Sequence, residues 1–134
     1  MKNPVIFVIA VALALLTSLT TFAQKPTHTK DTLDTVKENL KAGKAVLVDV
    51  REQDEWNAGH LAGAIHLPTT QLENKAKIAE LVKKLDKDKI IYTHCKAGYR
   101  ALSCGELLKQ EGFDVRPLKP GYSQLIVAGF EKAK

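Results

Sequence analysis

The sequence predicts an α/β fold: a mainly parallel central sheet of about four to five strands with helices on both faces. Short apolar runs alternate along the chain with stretches whose apolar residues recur at helical spacing, which is the order of a βαβ fold. The runs at Ala45-Val46-Leu47-Val48-Asp49-Val50 and Lys89-Ile90-Ile91-Tyr92-Thr93 are nearly unbroken rather than alternating, as expected of strands covered on both faces. Glycines and prolines stand between the elements, at Gly43, Pro68, Gly98 and Gly112.

The first 23 residues are read as a cleaved segment. Met1-Lys2-Asn3 is a short charged start, residues 5–16 form an uninterrupted apolar run of 12, and Thr21-Phe22-Ala23 supplies small residues before Gln24. Twelve apolar residues fall short of the roughly 20 that span a bilayer. The pattern therefore predicts a bacterial-type signal peptide cut after Ala23, a periplasmic or secreted protein, and no stable membrane association afterwards. Residues 24–30 are polar and aperiodic, a flexible lead-in, and residues 31–134 form a single domain.

The domain's elements follow in order. Asp31 or Thr32 caps a helix carrying Leu33, Val36 and Leu40, and Gly43 ends it. The strand 45–50 comes next, then a short helix over residues 52–58 and a short strand, Ala64-Ile65-His66-Leu67, stopped by Pro68. Thr70-Gln71-Leu72-Glu73 fits a capping box, so Leu72, Ala76, Ala79, Val82 and Leu85 predict one continuous helix. After the strand 89–93, Ala101, Cys104, Leu107 and Leu108 mark a helix ended by Gly112. Phe113-Asp114-Val115-Arg116 is a last strand.

Charge excludes some classes. The whole chain carries +5, and loss of residues 1–23 removes only Lys2, leaving +4. Lys75, Lys77, Lys83, Lys84, Lys87 and Lys89 are interspersed with Glu80, Asp86 and Asp88, a solvated surface rather than a nucleic-acid stripe. No Gly-rich nucleotide fingerprint occurs, and His60, His66 and His94 lack partners at metal-ligand spacing. Two cysteines, Cys95 and Cys104, do not make a disulfide framework.

Chemistry concentrates in His94-Cys95-Lys96-Ala97-Gly98-Tyr99-Arg100. In open parallel sheets ligands bind beyond the carboxyl ends of the strands, and Cys95 sits there, between a strand and a helix. The turn's N–H groups, the helix N-terminus, Lys96 and Arg100 all favour a thiolate, so Cys95 reads as a nucleophile for an anionic substrate. Cys104 shares the inner face of its helix with Ala101 and Leu108 and reads as a small core residue. Asp49, Arg51 and Glu55 fit a polar network that supports the loop and equally a strand-end salt bridge or helix cap, His94 is placed to tune the loop, and His60 holds the turn before Ala64.

Several segments resemble one family. Val48-Asp49-Val50-Arg51, Glu55, Gly59-His60-Leu61 and Gly63-Ala64-Ile65-His66-Leu67-Pro68 resemble the amino-terminal signature of rhodanese domains. Cys95 to Arg100, with four residues between them, resembles the rhodanese active-site loop, and the likeness continues through Gly112-Phe113, Pro120-Gly121-Tyr122 and Ala128-Gly129-Phe130. With its apolar start, the chain resembles single-domain periplasmic rhodaneses of the phage-shock type.

That resemblance implies a thiosulfate sulfurtransferase; a monomer without cofactor or metal is expected. Cys95 would take a sulfane sulfur from a small anionic donor as a persulfide and pass it to cyanide or a thiol. Lys96 and Arg100 would bind the donor's oxygens, while Lys96, Ala97, Gly98 and Tyr99 would offer backbone N–H groups. The chain departs from the family at Ala101, where Ser or Thr is usual, at Pro120 for glycine and at Leu125 for Trp. The alternatives are a cysteine phosphatase or arsenate reductase, whose loops carry five intervening residues, a non-catalytic module binding sulfane sulfur, and a thiol redox protein using Cys95 and Cys104.

Overall fold

The computed structural model describes residues 24–134, so the signal-peptide reading of residues 1–23 lies outside the described residues. Thr32 opens helix α1 (Leu33–Lys41), its side chain accepting the Thr35 N–H at 3.2 Å. Strand β1 (Ala45–Asp49), helix α2 (Gln53–Ala58) and strand β2 (Ile65–His66) follow. Next come the short helices α3 (Thr69–Leu72) and α4 (Ile78–Leu81), a 3-10 turn at Val82–Lys84, strand β3 (Ile90–His94), helix α5 (Tyr99–Gln110), strand β4 (Asp114–Val115) and helix α6 (Tyr122–Val127).

The four strands pair in the order β2-β1-β3-β4, every pair parallel, with Asp49 opposite His94 in the β1–β3 register. Alternation along the strands divides the interior into two cores. Val48, Val50, Ile91 and Cys95 pack with Leu72, Ala101, Cys104 and Leu108 from α3 and α5. Ala45, Leu47 and Tyr92 pack with Val36 of α1, Leu125 of α6 and Phe130. The mainly parallel sheet with helices on both faces is therefore present.

One predicted element is corrected. The continuous helix drawn through Leu72 and Leu85 is interrupted between α3 and α4. At the break, Asn74 Oδ1 accepts the Ala76 N–H at 3.0 Å, a side-chain turn that competes with helical hydrogen bonding. The capping box fails as well, because the helix is capped at Pro68, which places Thr70 inside it, and the Thr70 hydroxyl donates to Glu52 instead. The apolar residues Ile78, Leu81, Val82 and Leu85 still reach the core, so the spacing reports burial correctly and continuity wrongly.

Within residues 24–30, read as a flexible lead-in, Thr29 N–H donates to the Pro117 carbonyl at 2.8 Å; Asp31, the first residue of the domain, receives the Tyr92 hydroxyl at 2.6 Å and Arg116 Nη1 at 2.9 Å on its Oδ2.

Candidate active site

Cys95 is the first residue beyond β3, and the ladder continues past the strand ends through a Val50 N–H bond to the His94 carbonyl (3.0 Å). From there the chain turns sharply into α5. Gly98, at φ +92°, is the residue that makes the turn, a left-handed conformation that glycine adopts without a side-chain penalty. Its N–H donates to Cys95 Sγ at 3.1 Å, and the twelve-residue α5 begins at the next position. A donor and the positive end of a helix thus converge on the sulfur.

The thiol is enclosed, with Cys95 only 1% exposed, while Lys96 and Ala97 lie at the surface and Tyr99 is 79% exposed. Helix α6 closes the loop from the other side. Tyr122 N–H donates to the Cys95 carbonyl at 2.8 Å, and a Cβ at Gly121 would overlap the Lys96 carbonyl. Gly121 has φ −83°, so it is required for closeness of approach rather than for backbone freedom.

Two ion pairs frame the mouth. Arg100 grips Glu55 with two parallel bonds, Nη1 to Oε1 at 2.7 Å and Nη2 to Oε2 at 2.9 Å. This contact holds the Glu55 carboxyl below the ordinary carboxylate range and raises the guanidinium in turn. Arg51 is buried, bonded through Nε and Nη2 to Asp49, with Nη2 also donating to the Gly59 carbonyl at 2.8 Å. The Tyr122 ring covers that guanidinium at 4.1 Å. Between these pairs lies a cleft of about 250 Å³ bordered by Arg51, Glu55, Gly59, Lys96 and Tyr122.

The structure brings together Cys95, Lys96, Ala97, Gly98, Tyr99 and Arg100 as one turn, with Asp49 and Arg51 beneath its rim. Arg100 is paired through both terminal nitrogens with Glu55, 45 residues away in sequence, which uses two of its five N–H donors.

His94, read from the sequence as placed to tune the loop, is a buried neutral residue. It is fully buried, neither ring nitrogen has a hydrogen-bond partner among the described residues, and Nε2 stands 3.9 Å from Asp49 Oδ2. Burial pushes its pKa down to about 4, against the opposing pull of Asp49, so the ring carries no charge near neutral pH. Strand alternation also points it away from Cys95.

Elsewhere the reading is refined. His60 Nδ1–H donates to the Trp56 carbonyl at 3.0 Å, and the Trp56 ring is stacked by both His60 and His66, at 3.6 and 4.6 Å between centroids. Cys104 is a buried free thiol beside Thr69 Oγ1 at 3.3 Å, and burial raises its pKa. Ala101 and Leu125, at positions where the chain departs from the resemblance, are both fully buried. Gly121 and Tyr122 carry part of the resemblance, but their contacts with the loop, like that of His28 with the Gly98 carbonyl, come from segments distant in sequence and have no local signal.

With this geometry in view, known proteins provide the comparison. The family model described as "Rhodanese-like domain" matches residues 32–127. A thiosulfate sulfurtransferase, GlpE, of Coxiella burnetii is 34% identical over 97 residues, covering 72% of this chain and 78% of that protein. The crystal structure of a rhodanese-related protein from Thermoplasma volcanium is 30% identical at a TM-score of 0.58, covering 75% of this chain and 92% of that one. The human single-domain sulfurtransferase TSTD1 shares the fold at a TM-score of 0.62 and 24% identity, over 78% of this chain and 97% of its own.

Proposed function

The chain belongs to the rhodanese-like domain family, and from that premise we propose that it is a thiosulfate sulfurtransferase working through a persulfide on Cys95. The observation that carries this reading is the Gly98 N–H directed at Cys95 Sγ at the head of α5. A site built this way stabilises sulfur-centred anions, and each state of the proposed cycle is one.

In the first half-reaction the Cys95 thiolate attacks the outer sulfur of thiosulfate. A sulfur–sulfur bond forms at Sγ, the donor's sulfur–sulfur bond breaks, and sulfite leaves with the electron pair. The persulfide carries its terminal sulfur about 2 Å beyond Sγ. In the second half-reaction cyanide or a thiolate attacks that terminal sulfur, and the electron pair of the broken bond returns to Cys95. The transfer is thereby divided into two displacements, neither of which needs a general base.

Lys96, exposed at the rim, supplies a positive charge for the donor's oxygens. Arg100 contributes through the Arg100–Glu55 pair, which fixes the start of α5 against α2. The apolar run at residues 5–16 supports export, so the transfer is proposed to take place in the periplasm or outside the cell. The test is turnover with thiosulfate and cyanide, measured as thiocyanate. The wild-type protein should form it and Cys95→Ser should not, whereas hydrolysis of an aryl phosphate without thiocyanate would favour the phosphatase class.

A further inference from the structure

Residues 24–30 belong to no helix or strand and lie outside the segment matched by the family, yet they run beside the sulfur-holding loop. His28 Nε2 lies 3.0 Å from the Gly98 carbonyl oxygen, a contact between residues 70 apart in sequence. Because a carbonyl only accepts, His28 Nε2 carries the proton, and it does so in the Nε2–H neutral ring and in the imidazolium alike. The neighbouring residues hold the histidine in place: Thr29 is bonded to Pro117, and Asp31 to Tyr92 and Arg116.

We propose that His28 is a positioning residue for sulfur transfer, acting through Gly98; the inference rests on the reading of Cys95 as the persulfide-forming nucleophile. Gly98 joins two peptide planes with different tasks. One directs its N–H to Cys95 Sγ at 3.1 Å, and the other opens α5, its carbonyl accepting Leu102 N–H at a long 3.3 Å. Glycine at positive φ rotates more freely than any other residue, so neither plane is fixed by local sterics. His28 fixes the second plane from outside. The space around Gly98 is closed on the same side, since a Cβ there would come 3.0 Å from His28 Nε2 and 2.8 Å from the Lys119 carbonyl oxygen. The histidine, Gly98 and the sulfur thus form one chain of contacts, from a segment outside the matched family region to the reacting atom.

The test compares the purified protein with His28→Ala and His28→Gln. Three measurements are made: single-turnover persulfide formation from thiosulfate by intact mass, hydrogen exchange of the Gly98 amide by NMR, and thermal melting. His28→Ala should slow persulfide formation about five- to tenfold, the weight of one hydrogen bond, with the half-saturating thiosulfate concentration of the single-turnover rate within about twofold of wild type. Gly98 exchange should quicken by a similar factor. His28→Gln, whose side-chain amide can donate to the same carbonyl, should restore both rates. Unchanged Gly98 exchange in His28→Ala overturns the inference, whatever the transfer assay gives. So does a glutamine variant that recovers the melting temperature but not the transfer rate, because the histidine would then act only in folding. A wild-type protein that takes up no sulfur overturns the sulfurtransferase reading instead, and the Gly98 exchange comparison still reports whether His28 holds the loop.

Discussion

Gly121→Ala should damage the site by one methyl group. Gly121 sits at φ −83°, which alanine adopts without strain, so the effect of the substitution is steric alone. The added Cβ would overlap the Lys96 carbonyl and lie 3.3 Å from the Ala97 nitrogen. These are backbone atoms of the loop that holds Cys95, and relieving the overlap requires a separation of more than about 1 Å. Overpacking of this kind costs about 2 kcal/mol, equivalent to a fall of about 10 °C in melting temperature for a domain of this size. A displacement of about 1 Å at a reacting group can lower a rate on the order of a hundredfold. Thermal melting and the thiosulfate–cyanide rate measure the two effects separately. Gly43→Ala is the matched control: Gly43 has φ +69° with nothing within 4 Å of a Cβ, so it should lose about 1 kcal/mol to left-handed strain and keep its activity. Wild-type rate and melting temperature in Gly121→Ala would refute the claim that α6 sets the loop's position.

Two further outcomes follow from the charged groups. Glu55→Gln should destabilise the fold by about 1 kcal/mol at pH 7, because the side chains of the pair it breaks are only 30% and 27% exposed. Arg100 depresses the Glu55 carboxyl in the folded state, so this stabilisation is present above the unfolded value near pH 4.3 and is lost as pH falls through the lower folded value. Urea melts of both proteins should differ at neutral pH and converge in acid. His94 gives a second slope, at higher pH. Its folded pKa of about 4 lies below the ordinary 6.5, so the unfolded chain binds the extra proton and stability falls between pH 6.5 and pH 4, by on the order of 3 kcal/mol. His94→Gln should flatten that slope, and an equal slope in the variant would contradict the assignment.

The sheet, α1, α5 and the Cys95 turn were legible because each depends on neighbours in sequence: apolar runs, a capping threonine, a glycine between strand and helix. Failures arose where one side chain decided a local contest, as Asn74 did in breaking the helix after Leu72. Helix α6 went unread because Leu125 alone among its residues is buried, too little to impose a period. The charge arrangement at the site was only half legible. Asp49 and Arg51, two positions apart, pair as their spacing allows, but nothing local indicated that Arg100 would spend its terminal nitrogens on Glu55. The same limit hid His28, a polar residue in an aperiodic segment whose partner lies 70 positions away.

The central claim is that Cys95 accepts a sulfur atom. Intact-mass measurement after incubation with thiosulfate tests it most directly. The wild-type protein should gain one sulfur atom that cyanide removes as thiocyanate, and Cys95→Ser should gain none. No adduct on the folded wild-type protein, or an equal adduct on the serine variant, would contradict it.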